Sequence, residues 1–176
     1  MPITVASLQR AKLQATEHAI DVTLIAAAFP GDQHSVPDGF EAALSLTRSS
    51  RDLPGLEDTP PLPLFRDLLT RLRESATSPD DFLIYTNSDI AVQPHFYDDV
   101  AAICATGLNS FTINRRTISD KYAGVADLPL MYADKGQTHP GADCFVFRAG
   151  CLSPKLFTDV IVGTCMFDKM LLWNLL

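Results

Sequence analysis

Four short segments of this chain carry side chains whose type and spacing can do chemistry. Asp89, preceded by Asn87 and Ser88, offers hard oxygen ligands of the kind that hold Mg²⁺ or Mn²⁺ together with a diphosphate. The alternative is a turn or helix N-cap built by Ser88-Asp89 ahead of Pro94. Arg115-Arg116 can grip phosphate by bidentate hydrogen bonds, or be a pair of surface charges. Lys121 and Tyr122 follow closely enough to belong to the same wall. The stretch His139-Pro140-Gly141-Ala142-Asp143 can present a general base or a hydroxyl-binding carboxylate. It also reads as a Pro-Gly turn with solvated side chains. Asp168, beside Phe167, is a further carboxylate, or an acid at a helix start.

These residues need elements to position them. Ile20 to Ala28 is a nearly continuous apolar run ended by Pro30-Gly31 and Asp32, the pattern of a buried strand in a parallel sheet. Asp81–Thr86, Ser110–Asn114 and Asp143–Phe147 read as further strands. Helices are expected over Ala6–His18, where the apolar stripe is weak, and over Leu62–Leu72. In the latter, Leu62, Phe65, Leu68, Leu69 and Leu72 recur at helical spacing behind a tolerated Pro63. Pro94–Ala105, closed by Gly107, Pro154–Val160 and Phe167–Leu175 are also expected to be helical. From Gln33 to Pro63 the chain is rich in Pro, Gly, Asp and Ser, with a short helix expected over Phe40–Leu46. A long ordered loop of this kind is often functional.

Strands alternating with helices argue an α/β fold, a mostly parallel sheet flanked by helices. Ligands of such sheets sit at the carboxyl ends of the strands. That rule points to Asp32, Asn87, Ser88, Asp89, Arg115 and Arg116.

Composition narrows the function. The chain has 176 residues and fits a single domain, with a net charge of −7. An acidic chain without a basic block is not built to bind nucleic acid or anionic membrane nonspecifically, so phosphate affinity must be local. No apolar run approaches the length of a membrane span, and the N-terminus has no secretory pattern. The expected location is cytoplasmic. Cys104, Cys144, Cys151 and Cys165 form no CxxC pair and are expected to be reduced and mostly buried. P-loop, GxGxxG, HExxH and GxSxG motifs are absent, which argues against the chemistries they carry.

The segment DFLIYTNSDIAVQPHFYDDV, residues 81–100, resembles the DxD region of GT-A-type nucleotide-diphospho-sugar glycosyltransferases. Val22–Ala28 with Phe29-Pro30-Gly31-Asp32 looks like the first nucleotide-binding strand of that superfamily. Pro140–Phe147 looks like its later strand bearing an acceptor-side acid. The resemblance implies a Rossmann-like GT-A architecture with a nucleotide-binding half over about 19–114 and an acceptor-side half over about 115–176. It implies a UDP- or GDP-sugar donor, Mn²⁺ or Mg²⁺ at Asp89 and a ribose contact from Asn87; Asp32, Ser88, Arg115 and Arg116 would contact the nucleotide by their position at strand ends, not by motif. Asp143 and Asp168 would act on the acceptor. Asn87 stands where the family usually has its first acid and brings no negative charge. Against that family the chain looks short at its C-terminus. The length then suggests a trimmed catalytic domain, an incomplete one, or an apolar helix over Met170–Leu176 that seats against a second copy. The competing readings are a noncatalytic nucleotide or partner binder and a nucleotidyltransferase, for which the usual Gly-rich basic loop is missing.

Overall fold

The computed structural model describes residues 2–42, 45–153, 158–164 and 169–172. The chain divides into two compact units, each assembled from two segments. Unit 1 comprises Met1–Thr23 and Ile84–Val146, and unit 2 comprises Leu24–Leu83 and Phe147–Leu176.

Unit 1 opens with α1 (Pro2–Glu17), longer than the expected helix. Its buried face is Thr4, Ser7, Ala11 and Ala15. Small residues at three- and four-residue spacing make a face with little apolar signal but allow close approach, which is why the stripe is faint in the sequence. Leu13 on α1 is exposed. Against α1 lies α3 (Phe96–Cys104), which buries Phe96, Tyr97 and Val100. The Phe96 and Tyr97 rings meet edge-on at 5.0 Å. Polar bonds fix the helix pair. The Val92 N–H donates to the buried Ser7 Oγ at 3.1 Å, which itself donates to the Thr4 carbonyl. Gln14 Nε2 donates to Asp98 Oδ2 and His18 Nδ1 meets Asp98 Oδ1, both at 2.7 Å.

The His18–Asp98 pair gives a titratable reporter of this packing. The hydrogen bond to Asp98, then its charge, holds His18 above its ordinary 6.5. The bond to His18, then that from Gln14, holds Asp98 below the usual carboxylate value. A raised histidine stabilises fully below its unfolded value and loses that contribution as pH rises through the folded one. A lowered carboxylate stabilises above its unfolded value and loses that as pH falls. The pair therefore acts between the two ranges. An NMR titration is expected to return His18 toward 6.5 in Asp98→Asn. An unchanged His18 titration would contradict the pairing.

A three-stranded sheet in the order β3-β7-β4 is formed by Phe82–Thr86, Cys144–Arg148 and Ser110–Ile113, of which Ile84–Thr86, Cys144–Val146 and Ser110–Ile113 belong to unit 1. Phe145 and Val146 are completely buried. A two-stranded antiparallel ribbon joins β5 (Arg116–Thr117) to β6 (Gln137–Thr138), pairing Arg116 with Thr138 and Thr117 with Gln137. The short helix α4 (Leu128–Ala133) carries Pro in its first turn and buries Leu128.

Unit 2 holds a parallel pair, β1 (Ile25–Ala26) with β2 (Glu41–Ala42), and α2 (Phe65–Glu74), whose buried residues are Phe65 and Leu69. Leu64, just before α2, is completely buried and bridges Ile161. The Phe65 N–H donates to the Val160 carbonyl at 2.8 Å. Arg48 lies at the centre of an ion network. Its Nη2 is 2.7 Å from Asp67 and 2.9 Å from Asp159, and Arg66 approaches Asp159 at 3.5 Å.

Several expectations are corrected. The mostly parallel, Rossmann-like sheet flanked by helices is not formed. Among the described residues there are instead three small sheets of two, three and two strands. Of the apolar run Ile20–Ala28, only Ile25–Ala26 form a strand, paired with Glu41–Ala42; further along, the Leu46 N–H donates to the Ala28 carbonyl at 3.0 Å. The connection from β3 through α3 does not lead to a neighbouring strand, since β7 lies between β3 and β4. Alternation of strands and helices says nothing about such an insertion. The helix expected from Phe40 begins instead as β2. Residues 158–160 are not helical, and 154–157 lie outside the described residues. Of the helix expected over Phe167–Leu175, residues 169–172 are helical, with Leu171 completely buried; the remainder lies outside the described residues. Among the described residues no helix is long and apolar enough to cross a membrane.

Candidate functional site

Three of the sequence-selected residues converge in unit 1 around one guanidinium. Asn87 follows β3 directly, and Ser88-Asp89 form the turn after it. Arg115 lies between β4 and β5, and Asp143 immediately precedes β7. Asp143 is only 14% exposed, and its Oδ2 is 3.2 Å from Arg115 Nε. The Asn87 side-chain amide donates to Asp143 Oδ1 at 3.3 Å. On the other side of Arg115, its Nη1 is 4.0 Å from Asp89, whose side chain is 75% exposed. Two carboxylates against one guanidinium leave this cluster net negative when His139 is neutral.

His139 completes the group. Arg115 Nη2 is 3.1 Å from His139 Nε2, and that nitrogen is 3.9 Å from Asp143 Oδ2. Gly141 makes the approach feasible. A Cβ there would stand 3.0 Å from His139 Nε2 and 3.4 Å from Asp143 Oδ2. Hydrogen bonding in the cluster is incomplete. Arg115 Nε, Asp143 Oδ2 and, at the end of β3, Thr86 Oγ1 are buried without a hydrogen-bond partner of good geometry. Leaving a buried polar atom unsatisfied is costly; Arg71 Nε, Tyr132 Oη and Arg148 Nε share this state away from the cluster. Next to Asp143, burial pushes the Cys144 thiol up to about 12, with the Asp143 charge adding to it, so this cysteine is no nucleophile.

The other candidates lie elsewhere. Arg116 belongs to β5, and its guanidinium donates to the Lys135 carbonyl and, at 3.1 Å, to the Gly136 carbonyl. Tyr122 donates to Asp134 at 3.0 Å, and Lys121 stacks on the Tyr122 ring. Ser88 is exposed. Asp32, in unit 2, makes no side-chain cap to the short helical turn that follows it. Asp168 lies outside the described residues. The sequence marked the turn holding His139 and Asp143 as a candidate source of a general base; nothing there marked Arg115 as the partner of His139.

Gly136 fixes the ribbon that carries Arg116. Its φ is +53°, and a Cβ would fall 2.5 Å from the Thr117 carbonyl oxygen. Both the left-handed backbone and the collision with main chain disfavour any side chain. Gly136→Ala is expected to cost about 1–3 kcal/mol in a urea unfolding curve. A change within experimental error would contradict the ribbon geometry.

A divalent cation fits this cluster only as a shared ion. Among the described residues no three His, Cys, Asp or Glu side chains gather to hold a metal. Asp89 is accessible, and one or two carboxylates plus ligand oxygens suffice for Mg²⁺. No family model matches the chain, and neither a curated protein nor a solved structure is significantly similar to it.

Proposed function

We propose that unit 1 binds a nucleoside-diphospho-sugar at this cluster and transfers the sugar to an acceptor hydroxyl. The observation that carries the reading is the meeting of Asp143, Asn87 and Asp89 around Arg115. These are the residues after β3, after β4 and before β7. Arg115 donates to the diphosphate, bidentate geometry suiting guanidinium and phosphate. Asp89 would hold Mn²⁺ or Mg²⁺ jointly with that diphosphate; when bound, the ion offsets charge on the leaving group. Without such help the two carboxylates repel an anion. Asp143 orients the acceptor hydroxyl, itself held by Asn87.

A second reading is a binder without turnover. Asn87 favours it, because an amide stands where a second acid would strengthen a metal site, and that amide is engaged with Asp143. Calorimetric titration with UDP and with GDP, each with and without Mn²⁺, tests both readings. Binding is expected with Mn²⁺ and is expected to disappear in Asp89→Ala. No heat in any titration of the folded wild type contradicts both. Hydrolysis of UDP-glucose or GDP-mannose by a protein that binds separates transferase from binder.

A further inference from the structure

We infer that His139 Nε2, rather than the Asp143 carboxylate, is the proton acceptor of this site; the inference rests on the sugar-transfer reading. Arginine keeps its protons at every accessible pH and has no acceptor. The 3.1 Å contact between Arg115 Nη2 and His139 Nε2 therefore requires a lone pair on Nε2. Accepting that bond at Nε2 places the ring proton on Nδ1. Asp143 is less suited to the task. Its Oδ1 accepts from Asn87, its Oδ2 is ion-paired with Arg115 Nε, and the side chain is 14% exposed. His139 is 30% exposed, within reach of a ligand. Arg115, Asp143 and, beyond Arg115, Asp89 are the charged groups facing it.

The coupling follows from the shared guanidinium. A diphosphate that draws Arg115 to itself frees the Nε2 lone pair inside the cluster. The acceptor O–H bond then breaks, its proton passing to Nε2. The acceptor oxygen bonds to the sugar's anomeric carbon, whose bond to the phosphate oxygen breaks. That electron pair leaves on the nucleoside diphosphate. Asp143, 3.9 Å from Nε2, faces the imidazolium so formed. Gly141 leaves the room this arrangement needs.

The test compares wild type, His139→Ala and Gly141→Ala. Three readouts are used: UDP binding with Mn²⁺, UDP-glucose hydrolysis with water as acceptor, and the ¹⁵N tautomer signature of His139 by NMR. The tautomer spectrum is expected to show Nε2 unprotonated in the free protein. His139→Ala is expected to bind UDP within about twofold of wild type and to lose about a hundredfold or more in hydrolysis. Added imidazole is expected to restore part of that loss. Gly141→Ala, which crowds the ring without touching its chemistry, is expected to reduce hydrolysis with binding kept. A proton on Nε2, full hydrolysis by His139→Ala, loss of UDP binding in that variant, or loss of hydrolysis without rescue would each overturn the assignment. Wild type that binds UDP but hydrolyses nothing overturns it while leaving the binding site standing. Wild type that binds neither UDP nor GDP overturns the sugar-transfer reading as well.

Discussion

Arg115→Met is expected to weaken nucleoside diphosphate binding by about a hundredfold, or about 2.7 kcal/mol. The substitution removes the cation that touches both Asp143 and Asp89. Two effects add. Charge-assisted hydrogen bonds to the phosphate are lost, worth roughly 1.5–3 kcal/mol, and two carboxylates then face the ligand with nothing between them. Arg115→Lys is expected to recover only part of the loss, because an ammonium cannot reach Asp143, His139 and a phosphate with a planar fork. Calorimetry with UDP and Mn²⁺ on all three proteins checks this, alongside thermal unfolding to establish that each is folded. Lys equal to Arg would argue that only charge matters there. Met equal to wild type would remove Arg115 from the site.

The largest stability effect outside the apolar cores is expected at Arg48. Its guanidinium makes two hydrogen bonds to Asp67 and two to Asp159, at 2.7–3.2 Å. The bonds to Asp159 and then Asp67 raise its pKa further. With Arg48 38% exposed and its partners 15% and 25% exposed, solvent screens part of the interaction. Arg48→Met is therefore expected to cost about 1–3 kcal/mol, less than breaking a fully buried pair. The pH dependence has a definite sign. The bond from Arg48 holds Asp159 below the usual carboxylate value. Its contribution is present above the unfolded value and is lost as pH falls through the folded one. The difference between wild type and Arg48→Met should be full near neutrality and shrink in acid, below roughly pH 4. Urea unfolding at several pH values measures it. A difference that grows in acid would contradict the network.

Parts of the fold were legible because local pattern sufficed. Phe82–Thr86 is an apolar run with turn residues after it, and Phe96–Cys104 follows a Pro with apolar residues at helical spacing. Phe65–Glu74 has its buried Phe65 and Leu69 in register. The rest depended on partners far away in the chain. That β7 would lie between β3 and β4 is a matter of long-range pairing, and the parallel-sheet expectation failed there. The two-residue strands β5 and β6 are too short to carry a period. The segment around Arg48 is rich in Pro, Ser and Asp, and its anchors are Asp67 and Asp159, the second 111 positions away.

The site divides in the same way. Looking at strand ends singled out Asn87, Asp89 and Arg115, and the turn before the last strand singled out Asp143; these four do lie around one another. Strand ends also selected Arg116 by adjacency, but Arg116 opens β5 while Arg115 lies before it, and the Arg116 guanidinium is taken up by the ribbon. No local rule could link His139 to Arg115 across 24 positions.

The proposed site seats a nucleoside diphosphate and its cation beside Asp89 and Arg115. Paramagnetic broadening in the ¹H–¹⁵N spectrum, with UDP and substoichiometric Mn²⁺ added to the whole chain, tests it most directly. Amides of residues 87–89, Arg115, His139 and 141–143 are expected to broaden first, and this selectivity should vanish in Asp89→Ala. Broadening centred on other acidic residues, or none that depends on UDP, would contradict the account.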